Sequence, residues 1–334
     1  KVAAFLNEHF VSIKLDREER PDVDRVYMTT FQAMFGQGGG WPLNMFLTPE
    51  LKPFYGGTYF PPEDRQGRPG FMTALTQLQK VWKDSPAEVL KSASDIHRRL
   101  SEVVKDSQKL KGDAVVSQEL LVGVAEKFLL GADTVNGGWG RGQKFPQPSH
   151  LRFLMNSGGE GRKFALMTCR KMLEGGIHDH IGGGFHRYTV DPIWLVPHFE
   201  KMLYDQAQLL DVYVEAFLLT KDEEFRKAAV GIAEYVLDQL RHEGGGFYSA
   251  QDAQSEGKEG KYWCWTHKEL EGALSKPQLV AVKAWFGITE AGNFIDHSDP
   301  EPLKDQNVLF LKNSGVEWDE VQEKELASAI AKMR

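Results

Sequence analysis

The sequence predicts two domains: an α/β domain over residues 1–111 and an all-helical domain over residues 112–334, which we expect to form a toroid of helical hairpins. Three observations favour this division. Helix-like and strand-like patterns alternate at first, a polar and charged linker follows near residues 105–115, and the later apolar residues recur almost entirely at helical spacing. The length of 334 residues also suits two compact domains.

Local patterns predict the elements of the first domain in order. Phe10–Leu15 is a short, apolar and partly alternating run, which indicates a strand. Pro21 is expected to begin a helix, because proline is favoured at the first helical position. Leu43–Leu47 and the residues near Phe54 predict two more strands, and the sequence Ser85-Pro86-Ala87-Glu88 is a capping box that predicts a further helix.

The second domain is predicted to consist of helices joined by similar loops. Helices are expected over Leu120–Leu129, Phe164–Leu173 and His198–Leu219, and Asp222 is expected to cap the next one. Each loop contains glycines followed by an aromatic residue: Gly137-Gly138-Trp139, Gly182-Gly183-Gly184-Phe185 and Gly244-Gly245-Gly246-Phe247. Such a repeat indicates stacked hairpins whose loops line one end of the toroid.

Composition excludes several classes of protein. The two cysteines, Cys169 and Cys264, form neither a disulfide framework, nor a four-cysteine zinc site, nor a C-x-x-C redox pair. No apolar run is long enough to cross a membrane. The net charge of −7 argues against nucleic acid or an anionic membrane as a partner. We expect no cofactor.

The termini suggest a fragment of a longer protein. The chain opens at Lys1 without a methionine, already in a helical apolar pattern, and it closes in another helix-like pattern. The low cysteine count favours a reducing cytoplasm. The oligomeric state is left open by the sequence.

A histidine-rich segment is the candidate functional site. Four of the 10 histidines fall between His178 and His198, around one of the glycine-rich loops. Histidine titrates near neutral pH, so we expect His186 and His198 to act as general acid and base, with Asp179 and Glu200 orienting them. The residues expected to bind substrate are His180, Arg187, Tyr188, Trp194, Lys201, Tyr204, Asp205 and Asp252.

Position within a helix supports part of this set. Lys201, Tyr204 and Asp205 are expected to share one face of the helix that follows Pro197, and the aromatic rings of Tyr188 and Trp194 have the flat faces on which sugars stack.

Each of these residues also has a structural interpretation. A single histidine is commonly a hydrogen-bonded loop residue, the polar helix face can be a solvated surface, and Asp252 can form an Asx-turn. The four residues His178, His180, His186 and His198 suit zinc by type, but their spacing matches no zinc pattern, so we predict no metal site.

Several longer strings resemble one known family. They are Lys14-Leu15-Asp16-Arg17-Glu18-Glu19-Arg20-Pro21-Asp22-Val23-Asp24, Gly38-Gly39-Gly40-Trp41-Pro42, Gly56-Gly57-Thr58-Tyr59-Phe60-Pro61-Pro62, Gly184-Phe185-His186-Arg187-Tyr188 and the run from Pro197 to Ala207. Together they are similar to the spermatogenesis-associated protein 20 family over nearly the whole chain.

The resemblance implies a thioredoxin-like domain followed by an (α/α)6 barrel of the six-hairpin glycosidase type, similar to the barrels of N-acylglucosamine 2-epimerase and cellobiose epimerase. Pro42 would occupy the cis-proline position of the thioredoxin fold. The family's Cys-His-x-Met-like stretch would precede Lys1, and the barrel would be incomplete in this chain.

Three functions follow as hypotheses. The first is a carbohydrate-active enzyme of the epimerase or isomerase kind that uses histidines, or a glycoside hydrolase that uses two carboxylates among Asp179, Glu200, Asp205 and Asp252. The second is a thioredoxin-like redox or chaperone-type protein. The third is a non-catalytic sugar-binding or interaction protein on the same scaffold.

Overall fold

The computed structural model describes residues 1–36, 38–65, 67–109, 116–295, 302–312 and 318–334. Its contacts divide the chain into two units, Lys1–Val115 and Val116–Arg334. The boundary predicted after residue 111 lies outside the described residues. In the part of the chain that the structure describes, no helix is both long and apolar enough to cross a membrane.

The first unit combines four helices with one two-stranded antiparallel sheet. In chain order, its elements are α1 (Val2–His9), α2 (Pro21–Phe35), β1 (Asn44–Leu47), β2 (Pro53–Gly57), α3 (Phe71–Asp84) and α4 (Pro86–Lys109). β1 pairs with β2. The helix starts predicted at Pro21 and Pro86 and both strands are confirmed. The peptide bond between Trp41 and Pro42 is cis, as expected.

Two expectations for the first unit are wrong. Phe10–Leu15 forms no strand, because these residues have no ladder partner among the described residues, and Val11 and Ile13 are 93% and 74% exposed. The linker predicted over 105–115 is wrong in its first part, since residues 105–109 continue helix α4 to Lys109, and its remainder, 110–115, lies outside the described residues.

The second unit is predominantly helical, as predicted. Its helices are α5 (Gln118–Leu130), α6 (Pro148–Ser157), α7 (Gly159–Glu174), α8 (Leu203–Thr220), α9 (Glu223–Tyr235, extended by a π-helical turn, Val236–Leu240), α10 (His267–Ala273), α11 (Lys276–Phe286) and α12 (Glu320–Met333). Four short antiparallel pairs lie between them: β3 (Tyr188–Thr189) with β4 (Pro197–His198), β5 (Lys201–Met202) with β6 (Ala250–Gln251), β7 (Gln254–Ser255) with β8 (Lys258–Glu259), and β9 (Trp265–Thr266) with β10 (Gln306–Asn307).

Helices α5 to α9 surround one apolar core. Leu151, Leu154, Leu209, Val212 and Ile232 are fully buried in it, one or more from each of α6, α8 and α9. Helices α10 to α12 build a second cluster of their own. Helix caps agree with the sequence, because the side chain of Asp222 accepts a hydrogen bond from the backbone N–H of Glu224 at the start of α9.

The helix predicted from His198 begins later, at Leu203. His198 pairs with Tyr188 in the β3–β4 ladder, and Lys201 pairs with Gln251 in the β5–β6 ladder. Strand pairing therefore replaces the first helical turns. Lys201 lies before the helix begins and does not share a helix face with Tyr204 and Asp205, so the predicted polar helix face is wrong for Lys201.

Candidate functional site

The three glycine-rich loops of the second unit share one backbone design. We call them glycine loop 1 (132–139), glycine loop 2 (178–185) and glycine loop 3 (241–247); they follow α5, α7 and the π-helical turn after α9. An isolated bridge closes the base of each loop, joining Ala132 to Trp139, His178 to Phe185, and Arg241 to Phe247. Each loop follows a helical segment and is closed by the same kind of bridge, so the geometry agrees with the sequence prediction of equivalent loops.

A buried ion pair holds each of the first two loops. Lys144 Nζ lies 2.6 Å from Asp133 Oδ2 and donates to the carbonyl of Gly137 at 2.7 Å. Lys201 Nζ lies 2.6 Å from Asp179 Oδ2 and donates to the carbonyl of Gly183 at 2.8 Å. In both loops a lysine ammonium contacts an aspartate carboxylate and a glycine carbonyl, which indicates that both ion pairs stabilise the conformation of their loop.

The two candidates Asp179 and Lys201 are engaged in this arrangement. Asp179 Oδ1 accepts hydrogen bonds from the backbone N–H groups of Ile181 and Gly182. Burial would raise the pKa of Asp179, but the Lys201 ammonium lowers it well below its usual value. Burial lowers the pKa of Lys201, and Asp179 opposes that effect. Asp179 therefore lies within glycine loop 2, and Lys201 holds that loop from strand β5.

Three histidines point into the interior behind glycine loop 2. His180 Nε2 lies 3.0 Å from the carbonyl oxygen of Gly175, and His186 Nδ1 lies 2.9 Å from that of Phe199. His178 Nδ1 is buried and has no hydrogen-bond partner among the residues that the structure describes. Burial lowers the pKa of His180 to about 4 and that of His186 to about 3, and it holds the pKa of His178 well below its usual value.

A small cavity of about 10 Å³ lies among these rings. Its walls include His178, His180, His186, Phe199 and Trp263. That volume suits about one water molecule, whereas small-molecule pockets usually measure hundreds of Å³. His186 is only 2% exposed, so in this structure it is closed off from a substrate.

His198 has the opposite character. Its Nδ1 lies 2.7 Å from Glu259 Oε1, its Nε2 lies 3.6 Å from Glu200 Oε2, and its side chain is 28% exposed. Burial alone would lower the pKa of His198, but Glu200 and Glu259 raise it to about 9. His198 is therefore a partly exposed imidazolium at neutral pH.

Aromatic rings cover one side of this imidazolium. The ring of Tyr188 stacks on His198 with centroids 4.9 Å apart, and Phe145 lies 4.7 Å beyond Tyr188. Arg187 donates a hydrogen bond to the hydroxyl of Tyr204, and its backbone N–H donates to the carbonyl of Glu200 at 2.9 Å. Two candidates thus lie beside this centre, Tyr188 through its ring and Arg187 through its backbone, and Tyr204 contacts the side chain of Arg187.

Other predicted residues lie elsewhere. Trp194 is fully buried, its ring covers Gly138, and its Nε1 donates to the carbonyl of Asn136, so it offers no ring face to a ligand. Asp252 forms the turn that its structural interpretation predicts, since its Oδ1 accepts from the backbone N–H of Gln254. Asp205 lies in the first turn of α8.

Glu259 is a site residue that the sequence did not indicate. It lies 61 positions beyond His198, on strand β8 of a hairpin for which no pattern predicted proximity to the histidine cluster. No local spacing could have found it, because the contact is purely tertiary. Within the described ranges, no group of histidine, cysteine and carboxylate side chains is arranged to hold a metal ion.

Comparison with known proteins gives similarities at two levels. Residues 1–101 match the Thioredox_DsbH family model, described as "Protein of unknown function, DUF255". Spermatogenesis-associated protein 20 of Homo sapiens is 44% identical over 343 residues, covering 94% of this chain and 43% of that protein. The Mus musculus protein of the same name is 40% identical with the same coverage. The chain spans less than half the length of these relatives.

These similarities confirm the resemblance and the thioredoxin-like first domain. Among solved structures, cellobiose 2-epimerase from Spirochaeta thermophila is 16% identical, with 50% of each chain covered and a TM-score of 0.34. A sugar epimerase from a ruminal bacterium is 15% identical, covering 45% of this chain and 43% of that chain, also with a TM-score of 0.34. At that score neither likeness bears on the fold or the function.

Proposed function

We propose that this chain, which resembles the spermatogenesis-associated protein 20 family over 94% of its length, carries the acid–base centre of a carbohydrate-active protein of the epimerase or isomerase kind. One observation carries the proposal: His198 is a partly exposed histidine held in its protonated form by two carboxylates. A protonated imidazole at neutral pH is a general acid.

The contrast between two histidines supports this role. The pKa of His198 is raised to about 9, whereas that of His186 is lowered to about 3 by burial. Environments that push two pKa values apart separate an acid from a base. Phe199 links the two residues, because it follows His198 in the chain and its carbonyl meets His186 Nδ1. We assign the acid role to His198 and the base role to His186. For His186 to reach a substrate, Phe199 and Trp263 must move away from its ring.

The surroundings of His198 suit a sugar. Phe145 and Tyr188 provide neighbouring aromatic rings, of which Phe145 is 38% exposed, and Glu200 and Glu259 supply hydrogen-bonding groups for hydroxyls. Small-molecule sites commonly combine aromatic walls with a few placed polar groups. Glu200 and Glu259 also orient the imidazole of His198 on opposite ring nitrogens.

Solvent exchange at carbon 2 of a sugar tests the proposal. Abstraction of a proton beside a carbonyl exchanges it with solvent, so a reducing disaccharide or N-acyl hexosamine incubated with the protein in D2O loses its C2 proton signal by NMR. We expect His198→Gln to slow the exchange at least about 100-fold. The matched control is His242→Gln, an exposed histidine on glycine loop 3, which should leave the rate unchanged.

Two results would contradict the proposal. If no sugar in such a panel exchanges its C2 proton, the epimerase or isomerase function is wrong. If a sugar binds by saturation-transfer NMR without exchange, the non-catalytic sugar-binding alternative replaces it.

Thiol chemistry is the second candidate, because residues 1–101 match a thioredoxin-like family model. The chain's only cysteines, Cys169 and Cys264, are both buried, and burial raises both of their pKa values. A buried thiol with a raised pKa is a poor nucleophile. An insulin-reduction assay with this chain should therefore show no activity, and activity that Cys169→Ser abolishes would favour the redox alternative.

A further inference from the structure

Each glycine loop contains two consecutive glycines with positive φ, and we call each pair a socket. Socket 1 is Gly137 and Gly138, with φ of 76° and 70°. A methyl group placed on Gly137 would lie 2.8 Å from Cα of Thr168 on α7, and one on Gly138 would lie 2.5 Å from the ring of Trp194. Socket 1 is thus filled by a helix backbone and an aromatic ring.

Socket 2 is filled mainly by one helix. It comprises Gly183 and Gly184, with φ of 79° and 74°. A methyl group on Gly183 would lie 2.5 Å from the carbonyl oxygen of Gly231, and one on Gly184 would lie 2.8 Å both from the ring of Tyr235 and from Oε1 of Gln206 on α8. Gly231 and Tyr235 belong to α9, four residues apart and therefore on one helix face. A small residue and an aromatic residue one turn later fill this socket.

Socket 3 has a similar pair of positive φ angles but no occupant among the described residues. Gly245 and Gly246 have φ of 90° and 75°. The backbone N–H of Gly245 donates to the carbonyl of His242, three residues earlier, at 3.0 Å, whereas Gly137 and Gly183 each donate to the residue four positions earlier, because glycine loop 3 is one residue shorter. No described atom lies within 4 Å of a methyl group placed on either glycine. Phe247, which follows the socket, is 48% exposed, whereas the equivalent Phe185 is fully buried.

The order of the helices specifies what is missing. The second helix after the loop covers Gly137 in socket 1 and contacts both glycines in socket 2, α7 and α9 respectively, whereas Gly138 is covered by Trp194. The second helix after glycine loop 3 is α11, and it packs with α10 and α12 in a separate apolar cluster instead. The curated relatives extend well beyond the part that this chain spans, which is 43% of the human protein. They therefore contain enough sequence to provide another helix.

We propose that socket 3 is a docking site for an α-helix that presents a small residue to Gly245 and, one turn later, an aromatic side chain to Gly246, and that this helix belongs to the part of the longer protein outside these 334 residues. Contact between the aromatic residue, Gly246 and Phe247 buries apolar surface now open to water.

The chemistry of glycine loop 3 differs from that of its relatives in one respect. Asp133 and Asp179 each bind a buried lysine, but the third loop has His242 at that place, and its Nδ1 accepts from the backbone N–H of Gly244 at 3.0 Å. The imidazole replaces the carboxylate as the loop's acceptor. Lys144 and Lys201 lie outside the covering helices α7 and α9, so apolar contact is the expected basis of recognition by the docking helix.

Hydrogen exchange tests the docking site. We compare amide exchange in this chain with exchange in the protein of complete natural sequence. The amides of Gly245 and Tyr248 should exchange at least about tenfold more slowly in the complete protein, because docking shields their hydrogen bonds from water. The amides of Gly183 and Phe185, in the occupied glycine loop 2, serve as the internal reference and should not change.

A matched pair of substitutions separates docking from backbone strain. Gly246→Ala and Gly257→Ala introduce the same methyl group at φ of 75° and 73° within the second unit, each in open space in this chain. In this chain the two variants should lower the unfolding midpoint equally. In the complete protein only Gly246→Ala should restore fast exchange at Gly245.

Three outcomes overturn the proposal. The first is identical exchange at Gly245 and Tyr248 in the two proteins. The second is slowed exchange that Gly246→Ala leaves unchanged. The third is slowing in this chain that grows with protein concentration, which would identify a second copy as the occupant.

Discussion

The protonation of His198 depends on one carboxylate that is near in sequence and one that is distant. Glu200 lies two residues away, but Glu259 comes from another strand pair and provides the shorter contact, 2.7 Å against 3.6 Å. Opposite charges at this range favour the charged form of a histidine. The raised pKa of His198 therefore depends both on Glu200 and on the position of the β7–β8 hairpin, which carries Glu259.

Removing the Glu259 charge should lower the pKa of His198. We expect Glu259→Gln to bring it from about 9 down by about one to two units, because one of two stabilising carboxylates is lost while Glu200 remains. Histidine side-chain NMR as a function of pH measures this directly. The control is Glu256→Gln on the same hairpin, which removes an exposed carboxylate paired with Lys261. A His198 pKa equal to that of the unsubstituted protein would contradict the prediction.

The same shift predicts how stability changes with pH. The pKa of His198 is raised from 6.5 to about 9 on folding, so its contribution is fully present below about pH 6.5 and is lost as pH rises through 9. The contribution amounts to at most about 3 kcal/mol. We expect the difference in unfolding free energy between this protein and His198→Gln to shrink between pH 6 and pH 10. Urea denaturation at several pH values measures it, and a constant difference would refute the linkage.

At the scale of elements, the glycine loops were predictable but the ion pairs within them were not. Glycines followed by an aromatic residue are contiguous in sequence, whereas Lys201 reaches Asp179 across 22 positions through strand β5. The sequence predicted a helix there, because apolar spacing after Pro197 matched a helical period. Strand pairing of Lys201 with Gln251 outweighed that local preference.

Breaking one buried pair should destabilise the second unit strongly. Lys201→Met leaves the Asp179 carboxylate buried without its ammonium partner, a loss of about 3–5 kcal/mol in unfolding free energy. Lys163→Met, which breaks an ion pair whose side chains are 75% and 77% exposed, should change it by less than about 1 kcal/mol. Denaturant titration compares them. Equal effects would mean that the Lys201 pair is not structural.

For the whole molecule, sequence predicted the succession of an α/β unit and a helical unit, because periodicity extends over many residues. The sequence-based prediction failed where the conformation or burial of a residue depends on partners that are distant in sequence. Phe10–Leu15 has a strand-like pattern but no ladder partner among the described residues, and Trp194 looks like a binding ring but packs on Gly138 in the core. Glu259 was missed for the same reason.

The acid–base centre should be a property of the second unit alone. Glu200 and Glu259, which raise the pKa of His198, both lie within 116–334, and the apolar core of α5 to α9 lies within the same unit. Residues 116–334 produced by themselves should therefore fold cooperatively and show a His198 pKa near 9 by NMR. A value near 6.5 in a folded sample would mean that the first unit positions Glu200 or Glu259, and loss of folding would mean that the second unit requires the first.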